Sequence, residues 1–244
     1  MDAIVTAGGI PLPEDPLYAE ADGRPKALLD VAGKPMIQWV LDALSGAEKV
    51  ERVVIVGLSP RSGVTCRKPC TFVPNQGRML ANLIAGVNKV LELNPKAEYV
   101  LLVSSDIPAI QPHMVDWLIE TTMQTREDVY YGVIPREVME RRFPGSKRTY
   151  TRLKDMEVCG ADMNVVRVHL PNERTELWEQ LIGSRKSPLK QAAIIGFGTL
   201  FLLLTRRLTL DEAARRVMKR LDITGRAIVW EYAEPGMDVD KPHQ

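Results

Sequence analysis

With 244 residues, the chain is long enough for one α/β domain with some elaboration and a sizeable buried core. Its 32 basic and 31 acidic residues leave a net charge of +1, so no field steers it to nucleic acid or to an anionic membrane. Three cysteines, an odd and sparse set, suit a reducing, cytoplasmic setting better than a disulfide framework, and no signal-peptide pattern leads the sequence.

Residues 2–6, Asp-Ala-Ile-Val-Thr, read as a buried parallel strand, because a β-branched apolar run bounded by glycine is the mark of a central strand. Ala7-Gly8-Gly9 ends it abruptly. Glycines let backbone amides converge on an anion, and a phosphate is the natural candidate, although a glycine pair after a strand is also compatible with a plain turn. An irregular acidic stretch, 10–23, leads into Arg24-Pro25-Lys26-Ala27-Leu28-Leu29-Asp30-Val31-Ala32-Gly33-Lys34-Pro35-Met36-Ile37 and an amphipathic helix through Leu44.

This pattern, strand-AGG followed by RPKALLDVAGKPMIQWVLDAL, resembles the signature of the MobA-like nucleotidyltransferases, relatives of the sugar-phosphate nucleotidyltransferases. The resemblance implies a Rossmann-like three-layer α/β/α (GT-A-like) fold with a mostly parallel sheet. It implies that Ala7, Gly8 and Gly9 hold the triphosphate of an NTP and that Lys26 neutralises phosphate charge, with Arg24 beside it. The family's arginine usually follows the glycines within a compact segment; here the intervening stretch is long and acidic.

Residues 50–57 read as a second strand, 58–69 as a Pro/Arg/Lys-rich loop and 71–74 as a short third strand. Cys66 and Cys70 have the look of half a zinc site, but no second pair completes it. Asn75-Gln76-Gly77 opens a helix whose apolar face is Leu80, Leu83, Ile84, Val87, Val90 and Leu91. The resemblance implies that this turn and helix start contact base and ribose, through Gln76 and Asn82; a helix cap is the alternative reading.

Residues 98–103 form a central strand running into Ser104-Ser105-Asp106-Ile107-Pro108. An acid at the carboxyl end of a parallel strand stands where open α/β sheets bind ligands, yet Ser and Asp before the helix at 112–123 also suit a cap. The resemblance implies a Mg2+ ligand at Asp106. After a strand at 128–135, the stretch 136–155 carries Arg136, Arg141, Arg142, Lys147, Arg148, Arg152 and Lys154 around Tyr150. Arg148, Tyr150 and Arg152 share a strand face by the period of two, so with Lys147 they suit an anionic acceptor, or form a solvated face.

Residues 158–166 resemble the glycine-and-asparagine segment lining the family's acceptor pocket, which implies acceptor contacts for Gly160 and Asn164. Helices are expected at 173–182, 189–204 and 209–221, and a last strand at 226–232. The apolar run 192–204 holds 13 residues, short of the roughly twenty that span a bilayer, so a buried helix is expected and surface docking to lipid is the alternative. Asp238-Val239-Asp240-Lys241-Pro242 resembles the family's closing D-I-D-T-P, which implies a second metal ligand at Asp240, with Asp238 as its rival.

The expected whole is therefore a single domain over 1–244, with a basic β insertion near 136–168 and a helical elaboration near 173–221. Its implied activity is Mg2+-dependent transfer of NMP from an NTP to a small-molecule acceptor, releasing pyrophosphate. No residue need act as nucleophile, and neither a Ser-His nor a Cys-His arrangement is apparent. The alternatives are a nucleotide-sugar-dependent glycosyltransferase and a non-catalytic nucleotide-binding or membrane-associated protein.

Overall fold

Alternation along the first strand sets the layering. A computed structural model describes residues 1–173, 175–183, 194 and 196–242. In β1 (Asp2–Thr6), Ala3 and Val5 point to one side of the sheet and Ile4 to the other, as the period of two requires. The first side meets α2 (Met36–Gly46) and α4 (Pro112–Thr122) through Ile37, Val40, Leu41, Leu44, Val115 and Leu118, all buried. The second meets α3 (Met79–Leu93) through Val87 and Val90. Helices on both faces of one sheet give three layers.

The main sheet runs in the order β5 (Cys70–Val73), β4 (Val53–Val56), β1, β6 (Tyr99–Ser104), β10 (Met163–Arg167), β7 (Val129–Pro135), β9 (Glu157–Gly160), β8 (Thr151–Arg152). β11 (Gly225–Val229) lies along β7. β5, β4, β1 and β6 are mutually parallel, β10 runs antiparallel between β6 and β7, and β11 is parallel to β7. Two short strands, β2 (Asp30–Val31) and β3 (Lys34–Pro35), make a separate hairpin. The mostly parallel three-layer expectation holds.

β9 and β10 form one path interrupted at Ala161-Asp162. Val133 faces Gly160 and Tyr130 faces Val165, so five steps on this path match three on β7. The two surplus residues make a bulge. Its backbone is fully used: Ala161 N–H donates to the Gly132 carbonyl (3.0 Å), Asp162 N–H to the Pro235 carbonyl (2.8 Å), and Ser104 N–H to the Asp162 carbonyl (3.0 Å).

Several expectations need correction. Strand β8 is only two residues long, so Arg148 and Tyr150 precede it and do not share a strand face with Arg152. Residues Arg136–Arg142 form a helix, α5, because Met139 is fully buried against the core while its charged neighbours face water. The helix after β5 begins at Met79, not at Asn75, since Gly77 has φ +79° and Asn75 organises a turn. The acidic stretch holds a short helix, α1 (Tyr18–Ala21).

In the carboxyl-terminal third lie α6 (Thr175–Gly183), α7 (Phe197–Leu204) and α8 (Leu210–Leu221), the last opened by a Thr209–Glu212 capping box. The expected helix at 189–204 lies outside the described residues over 189–193 and 195. Its described part is not a buried helix: Phe197, Phe201 and Leu204 are exposed, and Leu203 packs with Leu210 and Ala213 at the edge of β7 and β9. Among the described residues, no helix is long and apolar enough to cross a membrane.

Candidate active site

The parallel strands all end on one rim. Ala7 N–H donates to the Val56 carbonyl (2.8 Å), Gly57 N–H to the Val73 carbonyl (2.9 Å) and Ser105 N–H to the Thr6 carbonyl (3.3 Å), which aligns the four strand ends. The glycines are required by crowding. Gly57 has φ +106°, and a Cβ there would stand 2.2 Å from Gly8 Cα and 2.3 Å from Gly8 N. A Cβ on Gly8 would stand 2.8 Å from Asn75 Cγ, whereas Gly9 faces open space. Two loops thus touch backbone to backbone, leaving the outer face of the glycine turn clear for a ligand.

Asn75 was not among the expected site residues, yet it fastens this rim: its Nδ2 donates to the Gly8 carbonyl (2.8 Å) and its Oδ1 accepts from Gly77 N–H (2.9 Å). Asn82 is buried and serves Asn75, donating through Nδ2 to Asn75 Oδ1 (3.1 Å) while its Oδ1 accepts from Gln76 N–H (2.7 Å). The exposed Gln76 side chain folds back to the Pro74 carbonyl (2.7 Å). The signal for Asn75 was its position directly after a strand end, followed two residues later by glycine, the spacing of an Asx turn.

Lys26 sits on a single 3-10 turn, Lys26–Leu28, whose first amide donates to the Gly9 carbonyl (2.8 Å). Its ammonium lies 2.7 Å from Asp106 Oδ2 and 2.5 Å from Asp240 Oδ1. Burial pulls the Lys26 pKa down, but the two carboxylates outweigh it and raise the value above that of a free lysine. Asp106 is oriented by Ser104, whose Oγ donates to Oδ1 (2.5 Å), and its carbonyl accepts from Val239 N–H (2.9 Å), pinning the tail alongside. Ser104, two residues before the acid, is a second member that spacing alone did not single out.

Asp238, the rival ligand, points elsewhere: it pairs with Arg148 Nη1, both side chains being more than four-fifths covered. Arg148 also reaches the Cys159 thiol, whose pKa burial pushes up and Arg148 pulls back. Arg152 is exposed and pairs with Glu157 (3.2 Å), and Lys147 is an exposed residue of positive φ, +54°. Arg24 is exposed, its Nε donating to the Ala21 carbonyl at the end of α1 (3.3 Å). Asn164 accepts from Gly132 N–H (2.9 Å) and donates to the Ala161 carbonyl (3.3 Å), bracing the bulge. A Cβ on Gly160 would stand 2.7 Å from Tyr131 Oη, so this glycine admits the tyrosine.

The sequence matches the MobA-like NTP transferase domain over residues 3–224. The chain belongs to that family. Among curated proteins, a probable molybdenum cofactor guanylyltransferase of Pyrococcus horikoshii is 28% identical over 105 residues, 43% of this chain and 52% of that protein. A mitochondrial 3-deoxy-manno-octulosonate cytidylyltransferase of Arabidopsis thaliana is 26% identical over 114 residues, 46% of this chain and 39% of that protein. The chain thus spans about half or less of the length of these curated relatives. Among solved structures, a hypothetical transferase from Thermus thermophilus superposes with a TM-score of 0.85 at 32% identity, covering 99% of this chain and 97% of that one. A CMP:2-keto-3-deoxy-manno-octonic acid synthetase complexed with CTP shares the fold, with a TM-score of 0.57 at 16% identity, covering 99% and 93%.

Whether this MobA-like domain has donors for a divalent cation turns on Asp106 and Asp240. Among the described residues, no cluster of three or more His, Cys, Asp or Glu side chains is grouped to hold a metal. Two carboxylates nevertheless aim oxygens at one cationic point, now the Lys26 ammonium. One or two carboxylates completed by substrate phosphates and water are the donor set Mg2+ takes in phosphoryl-transfer sites, so the residues fit such an ion.

Proposed function

We propose that this protein is a nucleotidyltransferase that moves NMP from an NTP to a small anionic acceptor and releases pyrophosphate. The observation that carries the reading is Lys26, held between Asp106 and Asp240 beside the glycine turn. Attack on the α-phosphorus sends charge onto the departing pyrophosphate, so the barrier is mainly electrostatic and positional. Lys26 supplies a fixed positive charge where that charge gathers, and the Gly8-Gly9 backbone allows the phosphates to come close. Ser104 and Val239 hold Asp106 in place, and the Asp106 and Asp240 carboxylates would hold Mg2+. When bound, the ion would neutralise phosphate oxygens and order the triphosphate.

On the acceptor side, Lys147 and Arg152 are exposed cations, while Arg148 is engaged with Asp238 and orients the tail that carries Asp240. Arginine's planar fork suits a phosphate or carboxylate acceptor. The glycosyltransferase alternative would release a nucleoside diphosphate in place of pyrophosphate, so the released product separates the two readings. Guanylyl and cytidylyl transfer by the relatives make GTP and CTP the first donors to try.

The decisive assay screens NTPs against phosphorylated sugars, alcohols and cofactor precursors with Mg2+, reading pyrophosphate and the coupled product. Lys26-dependent pyrophosphate release that requires an acceptor is the expected result. Turnover of nucleotide-sugars without pyrophosphate would replace this reading with the glycosyl one.

A further inference from the structure

One cation of the basic stretch, Arg142, reaches the segment that carries Asp240. After β11 the chain stays inside the protein: Ala233, Glu234, Pro235 and Gly236 are buried, residues 237–239 are half-buried, and Asp240 emerges exposed. A buried turn must have its backbone polar groups satisfied. In the 3-10 turn Glu234–Gly236 the Ala233 carbonyl accepts from Gly236 N–H (3.0 Å), the Glu234 carbonyl from Met237 N–H (3.1 Å) and the Pro235 carbonyl from Asp162 N–H of the bulge (2.8 Å). A Cβ on Gly236 would stand 2.4 Å from Ile134 Cδ1 and 3.0 Å from Met139 Cε, so the turn lies directly on β7 and α5.

The Glu234 side chain stands out in this apolar seat. Its carboxylate side chain is 11% exposed, and Arg142 Nε at the end of α5 donates to it (2.8 Å). The helix period brings the arginine there: Met139 is buried beneath the turn, and position 142 falls three residues on, along the same side. Phe143, packed against the core, lies 4.9 Å from the guanidinium and supports it. A mostly buried carboxylate that loses its partner is costly, and lifting the turn would return it to water. Between the turn and Asp240 the chain has little slack. Asp238 meets Arg148, Val239 N–H donates to the Asp106 carbonyl (2.9 Å), and Asp240 reaches Lys26 (2.5 Å). An extended segment advances about 3.3 Å per residue, so a slip of one residue at the turn would break both of the last two bonds.

We propose that Glu234 and Arg142 are positioning residues for Asp240. Their ion pair seats the turn on α5 and so fixes the register in which the Val239 amide and the Asp240 carboxylate arrive at Asp106 and Lys26. The catalytic consequence of the seat rests on the nucleotidyl-transfer reading; the seat itself does not.

Amide hydrogen exchange on the full chain, without substrate or metal, reads the seat directly. Arg142→Met and Glu234→Ala should each speed exchange at Val239 by about tenfold or more, the effect of one lost charge-assisted bond, while the amides of β1 keep their protection. Arg142→Lys, which keeps the charge, should restore most of the protection at Val239. In pyrophosphate release with Mg2+, Arg142→Met and Glu234→Ala should lower kcat by about tenfold or more with the KM for NTP little changed. A lowered Tm with Val239 protection intact would overturn the proposal, leaving a pair that only supports α5. So would loss of protection shared equally by Val239 and β1, Arg142→Lys exchanging as fast as Arg142→Met, or faster exchange at Val239 with kcat unchanged. If the unaltered chain releases no pyrophosphate from any NTP and acceptor, the nucleotidyl-transfer reading fails, and the exchange rates still decide the seat.

Discussion

Replacing Gly57 by alanine tests whether the contact between two loop backbones builds the rim proposed to receive the NTP. The new methyl would have to stand 2.2 Å from Gly8 Cα, on a residue whose φ of +106° an L side chain rarely adopts. Forced positive-φ backbone costs about 1–3 kcal/mol and overpacking a further 1–3 kcal/mol, so the sum is about 4 kcal/mol. For a domain of this size that lowers Tm by about 8–16 °C. Gly63 is the internal control: its φ is +80°, yet a Cβ there meets nothing within 4 Å. Gly63→Ala should therefore cost only the backbone part, about 1 kcal/mol. Beyond stability, Gly57→Ala should displace Gly8 and raise the KM for NTP, while Gly63→Ala should leave it unchanged. Melting curves and pyrophosphate release on both variants decide it; equal losses in the two would refute the argument from backbone contact.

Lys26→Ala should lower kcat by about 100-fold or more with a smaller rise in the KM for NTP, because the lost charge matters most when pyrophosphate departs. A lysine that only braces the fold would instead show as a lower Tm with kcat intact. Asp240→Asn should cut turnover by at least about 10–100-fold with little change in Tm. Asp238→Asn should chiefly lower Tm, by unpairing the mostly buried Arg148; the reverse pattern would exchange their roles. Tyr150 is pushed up to about 12, first by burial and then by its hydrogen bond to Glu140 (2.8 Å). Since an unfolded tyrosine titrates near 10, the stabilising contribution is fully present below about pH 10 and fades as pH rises through 12. Phenolate absorbance in a pH titration should lose a late-rising component when Tyr150→Phe is made.

The left half of the sheet was legible because its signals are local. A β-branched run ending in Gly8-Gly9, a second ending in Gly57 and a third ending before Asp106 each declare a strand and its rim within a few residues. The grouping of Lys26 with Asp106 and Asp240 came from resemblance to a known pattern, since no periodicity links positions so far apart. What failed had distant causes. α5 is a run of charges made helical by burial of one residue, Met139, and a charge run carries no helix period strong enough to reveal it. Arg148 looked like a free phosphate ligand because its partner, Asp238, lies 90 positions away. The bulge itself was not foreseen either, because no residue type announces it; Asn164, singled out by resemblance as an acceptor contact, is the residue whose amide braces it.

Lys26 and Asp240 meet across 214 positions of sequence. Synthesis runs from the amino end, so a growing chain acquires the glycine turn, Lys26 and Asp106 long before the carboxylate that completes their grouping. An unfinished or clipped polypeptide ending before Asp240 would present the glycine turn, Lys26 and Asp106 without that carboxylate. On the proposed chemistry, such fragments would occupy NTP without turning it over. On that reading, competence waits until the segment carrying Asp240 is made and docked against Asp106 through the Val239 amide.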